Sequence, residues 1–341
     1  MRRAVAILLL VLAGCGDDDP AGTDAASPDA ALPDAALPDA SPDASLDFPD
    51  WLSQAGLFSD PASHTVTPRA LLFTPTYALW SDAASKRRWL LLPEGGQIDS
   101  SDPDHWRLPV GTRLFKEFSR GGVLLETRLI LRTGPGPMDY RMGAYIWLPD
   151  GSDARFTPAG ASNVNGTTHD VPSADTCWSC HVGEPGRALG LSAVQLSHAT
   201  PPSVASLQAA GLLTTPVPTW TVPGDAVVSA ALGSLHANCG HCHSDTGSAR
   251  PDVDQILRLS LAETTPAATA IYRTTVGVAP TRFMRAGLTA RVAPGAPAAS
   301  AVLYRMQQRG DTAQMPPLAT EVVDASGIAA VTAWIQSLPP P

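Results

Sequence analysis

The amino-acid sequence predicts a multidomain chain in which a mainly antiparallel β domain is followed by an all-α domain, both behind a leader and a tether. Three observations predict it. Residues 88–149 hold strand-length apolar or alternating runs separated by glycine-rich breaks. Residues 222–341 hold two stretches of helical periodicity, each preceded by an aspartate. Between residues 16 and 50 the composition turns largely to Pro, Ala and Asp, which separates the folded part from what precedes it. The expected boundaries are therefore 1–15, 16–50, 51–221 and 222–341.

The first segment opens with Arg2 and Arg3 and runs through AVAILLLVLA to Gly14 and Cys15. A charged start, a short apolar run and small residues at its end read as a secretory signal, too short to span a membrane. Its Leu-Ala-Gly-Cys ending resembles the lipobox of bacterial lipoproteins. That resemblance implies that Cys15 is lipidated; the alternative is an ordinary signal peptide with a spare cysteine. Acyl chains contribute about 0.8 kcal/mol per buried methylene and would anchor the protein to a membrane. The segment 16–50 has no Lys or Arg and no aromatic residue before Phe48. It cannot bury enough apolar surface to offset its ordering entropy, and it reads as an extended spacer.

The charge follows this division. The chain has net charge −9, but removing the ten aspartates of the spacer and the two arginines of the signal leaves Trp51 to Pro341 at −1. A nearly neutral body of roughly 290 residues without a Lys/Arg run gives no electrostatic basis for nucleic-acid binding and suggests about two domains.

The β domain is expected from RWLLLP at Arg88, TRLFKEFSR at Thr112, VLLETRLILR at Val123 and YRMGAYIWLP at Tyr140, with GPGP at Gly134–Pro137 as a break. Glu126 and Arg128 lie two apart on one strand face. A solvated face is the expectation for them, and lining a pocket is the alternative. The tryptophans 80, 89, 106 and 147 are expected in the core, unless the domain binds a partner through exposed aromatics.

Four of the five cysteines stand in CWSCH (Cys177–His181) and CGHCH (Cys239–His243). Cys-x-x-Cys-His is the attachment pattern of c-type haem: two thiols form thioethers to one porphyrin edge, and the adjacent imidazole sits beneath the iron. Two motifs imply two covalent haems, with Cys177, Cys180, Cys239 and Cys242 as attachment points and His181 and His243 as ligands. One shared structural zinc site, two redox disulfides or two simple disulfides are the alternatives. His241, inside the second motif, is expected to be a bystander.

Around the second motif, Asp225 is expected to cap a helix running to Asn238. Asp324 is expected to cap a second helix in which Ile328, Val331, Trp334, Ile335 and Leu338 share a face. A helix ending in Cys-x-x-Cys-His, a later Met-Pro loop at Gln314–Leu318 and a final helix resemble a class I cytochrome c domain. That resemblance implies an all-α cytochrome c-like fold for 222–341 and makes Met315 the distal ligand of the second haem. Met306 and Met284 are rivals expected to be packing residues.

The stretches LWSDAASKRRWLLLP, LPVGTRLFKEF, LLETRLILR, AYIWLPD and VPSADTCWSCH, followed by LGLSAVQL, resemble a group of bacterial dihaem c-type proteins. The resemblance supports Cys177, Cys180 and His181 as the first haem site; if both haems are six-coordinate, the expected role is electron transfer between redox partner proteins. The resemblance names no substrate. With the leader, it places the protein in the cell envelope of a Gram-negative-type bacterium, lipid-anchored and facing the periplasm or the cell surface. The distal ligand of the first haem is open among His169, His198, His236, Met138 and Met142. An open iron position there would suit a dihaem peroxidase-like enzyme, and a β-domain binding module with the haems as relay is a third class. No nucleotide loop, Ser/His/Asp set or zinc-protease motif is present.

Overall fold

The computed structural model describes residues 48–250 and 252–340; Cys15 and most of the expected tether lie outside the described residues. A short antiparallel pair, β1 (Phe58–Asp60) and β2 (Thr65–Val66), precedes a six-stranded antiparallel meander. Its strands are β3 (Leu71–Leu72), β4 (Ser85–Leu91), β5 (Arg113–Arg120), β6 (Val123–Arg132), β7 (Tyr140–Trp147) and β8 (Ala154–Phe156), paired in chain order. The four long strands fall on the four apolar runs of the sequence.

The register explains why those runs carry so few exposed residues. Trp89 pairs with Phe115, Phe115 with Leu129 and Leu129 with Gly143. This row belongs to a core that also takes in Leu52, Leu57, Tyr145 and Trp147. Leu90, Leu114, Ile130 and Met142 form the next row on the opposite face, where Leu90 and Leu114 enter a second core with Ile98, Trp106, Leu196 and Leu207. Because side chains alternate along a strand, both faces of the sheet are covered. Trp89, Trp106 and Trp147 are buried, so only half-buried Trp80 retains any part of the exposed-aromatic expectation.

After β8 the chain forms α1 (Ala174–His181), α2 (Ala193–Leu196), α3 (Val204–Ala209), α4 (Ala226–Asn238), α5 (Ala270–Thr275), α6 (Ala301–Met306) and α7 (Ala325–Ser337). Asp225 caps α4 by accepting from Val228 N, and Asp324 caps α7 by accepting from Gly327 N. These two helices pack together, with Leu232, Leu235, Val331, Trp334 and Ile335 in a third core.

The expectation of an all-α cytochrome c-like domain over 222–341 is not met. Among its described residues only α4 and α7 exceed six residues, and the stretch from His243 to Asp324 runs mostly in turns, three-residue 3₁₀ segments and isolated bridges. The physical reason is local. Prolines at 266, 280, 294, 297, 316 and 317 remove helix donors, and Gly277, Gly287, Gly295 and Gly310 take positive φ. The helical ends were extrapolated across a segment that cannot continue either of them. No helix among the described residues is long and apolar enough to cross a membrane.

Candidate functional site

The first cysteine motif is the last turn of α1. Ser173 caps that helix by accepting from Thr176 N, and helical spacing brings Cys177, Cys180 and His181 to one side. His181 Nδ1 lies 2.6 Å from the carbonyl of Arg187, so the ring donates there and leaves Nε2 as the acceptor. Arg187 holds that carbonyl in place from a left-handed backbone (φ +57), a conformation that costs energy in a non-glycine residue. Burial holds His181 neutral, pulling it down to about 3.

The second motif follows α4. Cys239 caps the helix, and the amides of Cys242 and His243 donate back to its carbonyl at 3.1 and 2.8 Å. Gly240 is required in this turn, since a Cβ there would meet His236 O at 2.7 Å. His243 Nδ1 is buried and, among the described residues, makes no hydrogen bond of normal geometry, the Gln255 backbone being its polar neighbour. Burial lowers its basicity as well and pushes the Cys239 thiol up to about 12.

The chain brings the two motifs together although about sixty residues separate them. Thr246 Oγ1 donates to Gly183 O at 2.9 Å, and Ser248 Oγ donates to Ser179 O at 3.1 Å. A Cβ on Gly183 would lie 1.9 Å from His241 O, so this approach needs glycine. Ligand atoms of Cys180, His241 and Cys242 all lie within 4.8 Å of one another. Hydrogen bonding between Cys180 and Cys242, joined on the Cys242 side by His241, pulls the Cys242 thiol down and pushes that of Cys180 up. His241 is therefore part of the junction between the motifs and not a bystander. Two thiols and an imidazole also suit a soft divalent cation such as zinc.

A cavity opens on each side of this junction. One, of about 360 Å³, is lined by Cys239, Cys242, His243, Met306, Met315 and Pro316 among others. The other, of about 400 Å³, takes Cys177, Cys180 and His181 on one wall and Lys116, Arg128 and His169 on another. Both are of ligand-pocket size. The donor set fits c-type haem: none of the four motif cysteines is in a disulfide, His181 presents a neutral Nε2, and His181 and His243 line different cavities.

Of the expected ligands, Met315 lines the cavity of His243, and Met306 lines it too. Met284 is exposed at 78 %, against the expectation that it packs in the core. His169 lines the first motif's cavity, but its Nε2 is 2.8 Å from Glu126 Oε1. His198 is turned away, with Nε2 3.0 Å from Thr74 O. His236 is buried and accepts from Leu259 N, and Met138 is exposed. Met142 lies buried near Cys177 and His181.

The expectation that Glu126 and Arg128 face solvent is overturned. Glu126 is fully buried and accepts two hydrogen bonds from Arg128, at 2.8 and 2.6 Å. Burial alone would raise its carboxyl, but Arg128 and His169 outweigh it and hold it below the usual carboxylate range. The missed signal was the strand itself: VLLETRLILR has apolar residues on both faces, so its polar pair had to be buried under something. Comparison with family models, with curated protein sequences and with solved structures returns no match.

Proposed function

We propose that the chain is a dihaem c-type cytochrome that transfers electrons in the cell envelope. The observation that supports this reading best is the pairing of the two motifs: each presents its histidine to a separate cavity while Cys180 and Cys242 meet between them. Haem supplies the one-electron chemistry when bound. The chain would hold it through Cys177, Cys180 and His181 on one side and Cys239, Cys242 and His243 on the other, with Met315 as the second haem's distal ligand. Adjacent attachment points are what an electron relay requires, since transfer within the protein then crosses a short gap. Redox partner proteins and a membrane anchor through Cys15 complete the proposal.

A second reading, a peroxidase-like enzyme, draws on Glu126 and His169. A buried carboxylate–imidazole pair beside the first motif is a proton-transfer group of the kind such chemistry needs.

The test is a haem and metal count with visible spectra of the mature protein, oxidised and reduced, made in a host that attaches c-type haem. Two covalent low-spin haems, inert to added ligands, support the relay. One high-spin, ligand-accessible haem favours the enzyme. Zinc in place of haem removes both readings and leaves the Cys180–His241–Cys242 set as a metal site.

A further inference from the structure

The sheet face turned toward α1 carries a row of cations that neither reading above uses. Arg88 on β4 pairs in register with Lys116 on β5, and Lys116 with Arg128 on β6. Like charges directly opposite one another on neighbouring strands destabilise a sheet, so such a row calls for compensation. Among the described residues the only carboxylate bonded to it is Glu126, which Arg128 and His169 share. Arg88 is 6 % exposed and Lys116 is half-buried; among the described residues neither side chain has a hydrogen-bond or ion-pair partner, and Lys116 Nζ lies over the Phe118 ring, at 5.1 Å.

All three residues line a small cavity of about 50 Å³, walled by Cys177 and His181 of the first motif and otherwise by apolar residues such as Leu114 and Met142; the charged ends of Lys116 and Arg128 lie next to it over the Phe118 ring, at 5.1 and 4.5 Å. No carboxylate lines it. The acids of the neighbouring larger cavity are turned elsewhere. Asp82 accepts from the amides of Glu321 and Val322 and Asp170 from that of Asn163, and Glu321 is exposed. A space of this volume holds a few water-sized atoms. A buried cation without a partner, as Arg88 is, carries a cost that an anion would relieve; burial also pulls the Lys116 ammonium well below its ordinary value, a shift that a bound anion would reverse.

We propose that Arg88, Lys116 and Arg128 form a binding site for one small oxyanion or carboxylate group beside the first cysteine motif. Arg88 offers a forked donor and Lys116 a point charge, while Arg128, whose Nε and Nη2 are held by Glu126, keeps only Nη1 for the anion; the combination suits planar or tetrahedral oxygen anions. The anion is either a free inorganic oxyanion or a carboxylate of a porphyrin held by the motif. The site follows from the sheet register and stands whether or not haem is attached.

The test uses the mature full-length protein as purified, titrated with sodium nitrate and with sodium sulfate at fixed ionic strength in a calorimeter, alongside Lys116→Gln, Arg88→Gln and the conservative Lys116→Arg. One-to-one binding that weakens at least tenfold in Lys116→Gln or Arg88→Gln and survives in Lys116→Arg supports the site with a free anion as its ligand. No binding of either salt, with a lowered midpoint potential of one haem alone in Lys116→Gln and its recovery in Lys116→Arg, supports it with a porphyrin carboxylate as the ligand. Thermal melts establish that each variant is folded. If folded variants and wild type all fail to bind either salt and share the same potentials, the site does not exist.

Discussion

The first Cys-x-x-Cys-His motif ends a helix laid against a cationic sheet face, whereas the second lies in turns beyond α4 and looks toward Met306, Met315 and the prolines after them. The histidines differ in the same way. His181 is locked by a 2.6 Å hydrogen bond to the carbonyl of Arg187, while among the described residues the Nδ1 of His243 makes no such bond. An identical five-residue pattern thus receives two environments: the first faces Lys116, Arg128 and His169, and the second faces Met306 and Met315 alongside Arg282, Arg291 and Arg305. Ligand basicity and the dielectric around a metal centre are set by such neighbours more than by the ligands themselves. The two sites are built to differ.

The largest break of that contrast comes from Glu126→Ala. Removing the fully buried Glu126 leaves Arg128, whose side chain is 22 % exposed, and buried His169 without their shared acceptor, at a cost of about 3 kcal/mol. Urea unfolding should show it as a lower midpoint, with spectral change confined to the first motif's haem under the dihaem reading. An unaltered midpoint would mean that the set is not buried in solution.

Gly183→Ala attacks the junction in place of either side. Its Cβ would meet backbone at His241, which cannot swing away as a side chain could, and overpacking of this kind costs about 1–3 kcal/mol. If the motifs are forced apart, magnetic interaction between two haem irons should weaken in electron paramagnetic resonance while the haem count stays the same. Intact interaction would show that Gly183 does not hold the junction.

How much of this was legible in the sequence depends on the range of the forces involved. The four long strands and the caps at Asp225 and Asp324 are local patterns, and the chain declares them within a few residues. The cation row was not legible, because Arg88, Lys116 and Arg128 become neighbours only through strand register. The meeting of Cys180 with Cys242 was equally hidden, although Gly183 and Gly247, each too close to backbone for a side chain, were its trace in the sequence. The all-α expectation failed for the opposite reason: two well-marked helices were allowed to speak for the proline-interrupted stretch between them.

A smaller effect separates the charged side by pH. Burial, reinforced by Arg88 and Arg128, lowers Lys86 to about 7 from an ordinary 10.5. Between those values the unfolded chain binds more protons than the folded one, so this residue makes stability rise with pH from about 7 toward 10.5. Lys86→Met should therefore melt higher than wild type at pH 7, and the gap should close as the pH approaches 10. A gap that stays constant across that window would mean Lys86 remains charged in the folded protein.

The smallest change in stability is expected at the other motif. Met315→Leu conserves volume and should cost less than about 1.5 kcal/mol, yet leucine has no sulfur to offer a metal. Under the dihaem reading it should remove low-spin His/Met character from one haem and leave the other's spectrum intact, the mirror image of Glu126→Ala. Met306 shares the cavity with Met315, so an unchanged spectrum in Met315→Leu together with a changed one in Met306→Leu would move the ligand to α6. The contrast between the motifs would survive that outcome, because either thioether belongs to the second cavity and neither borders the first.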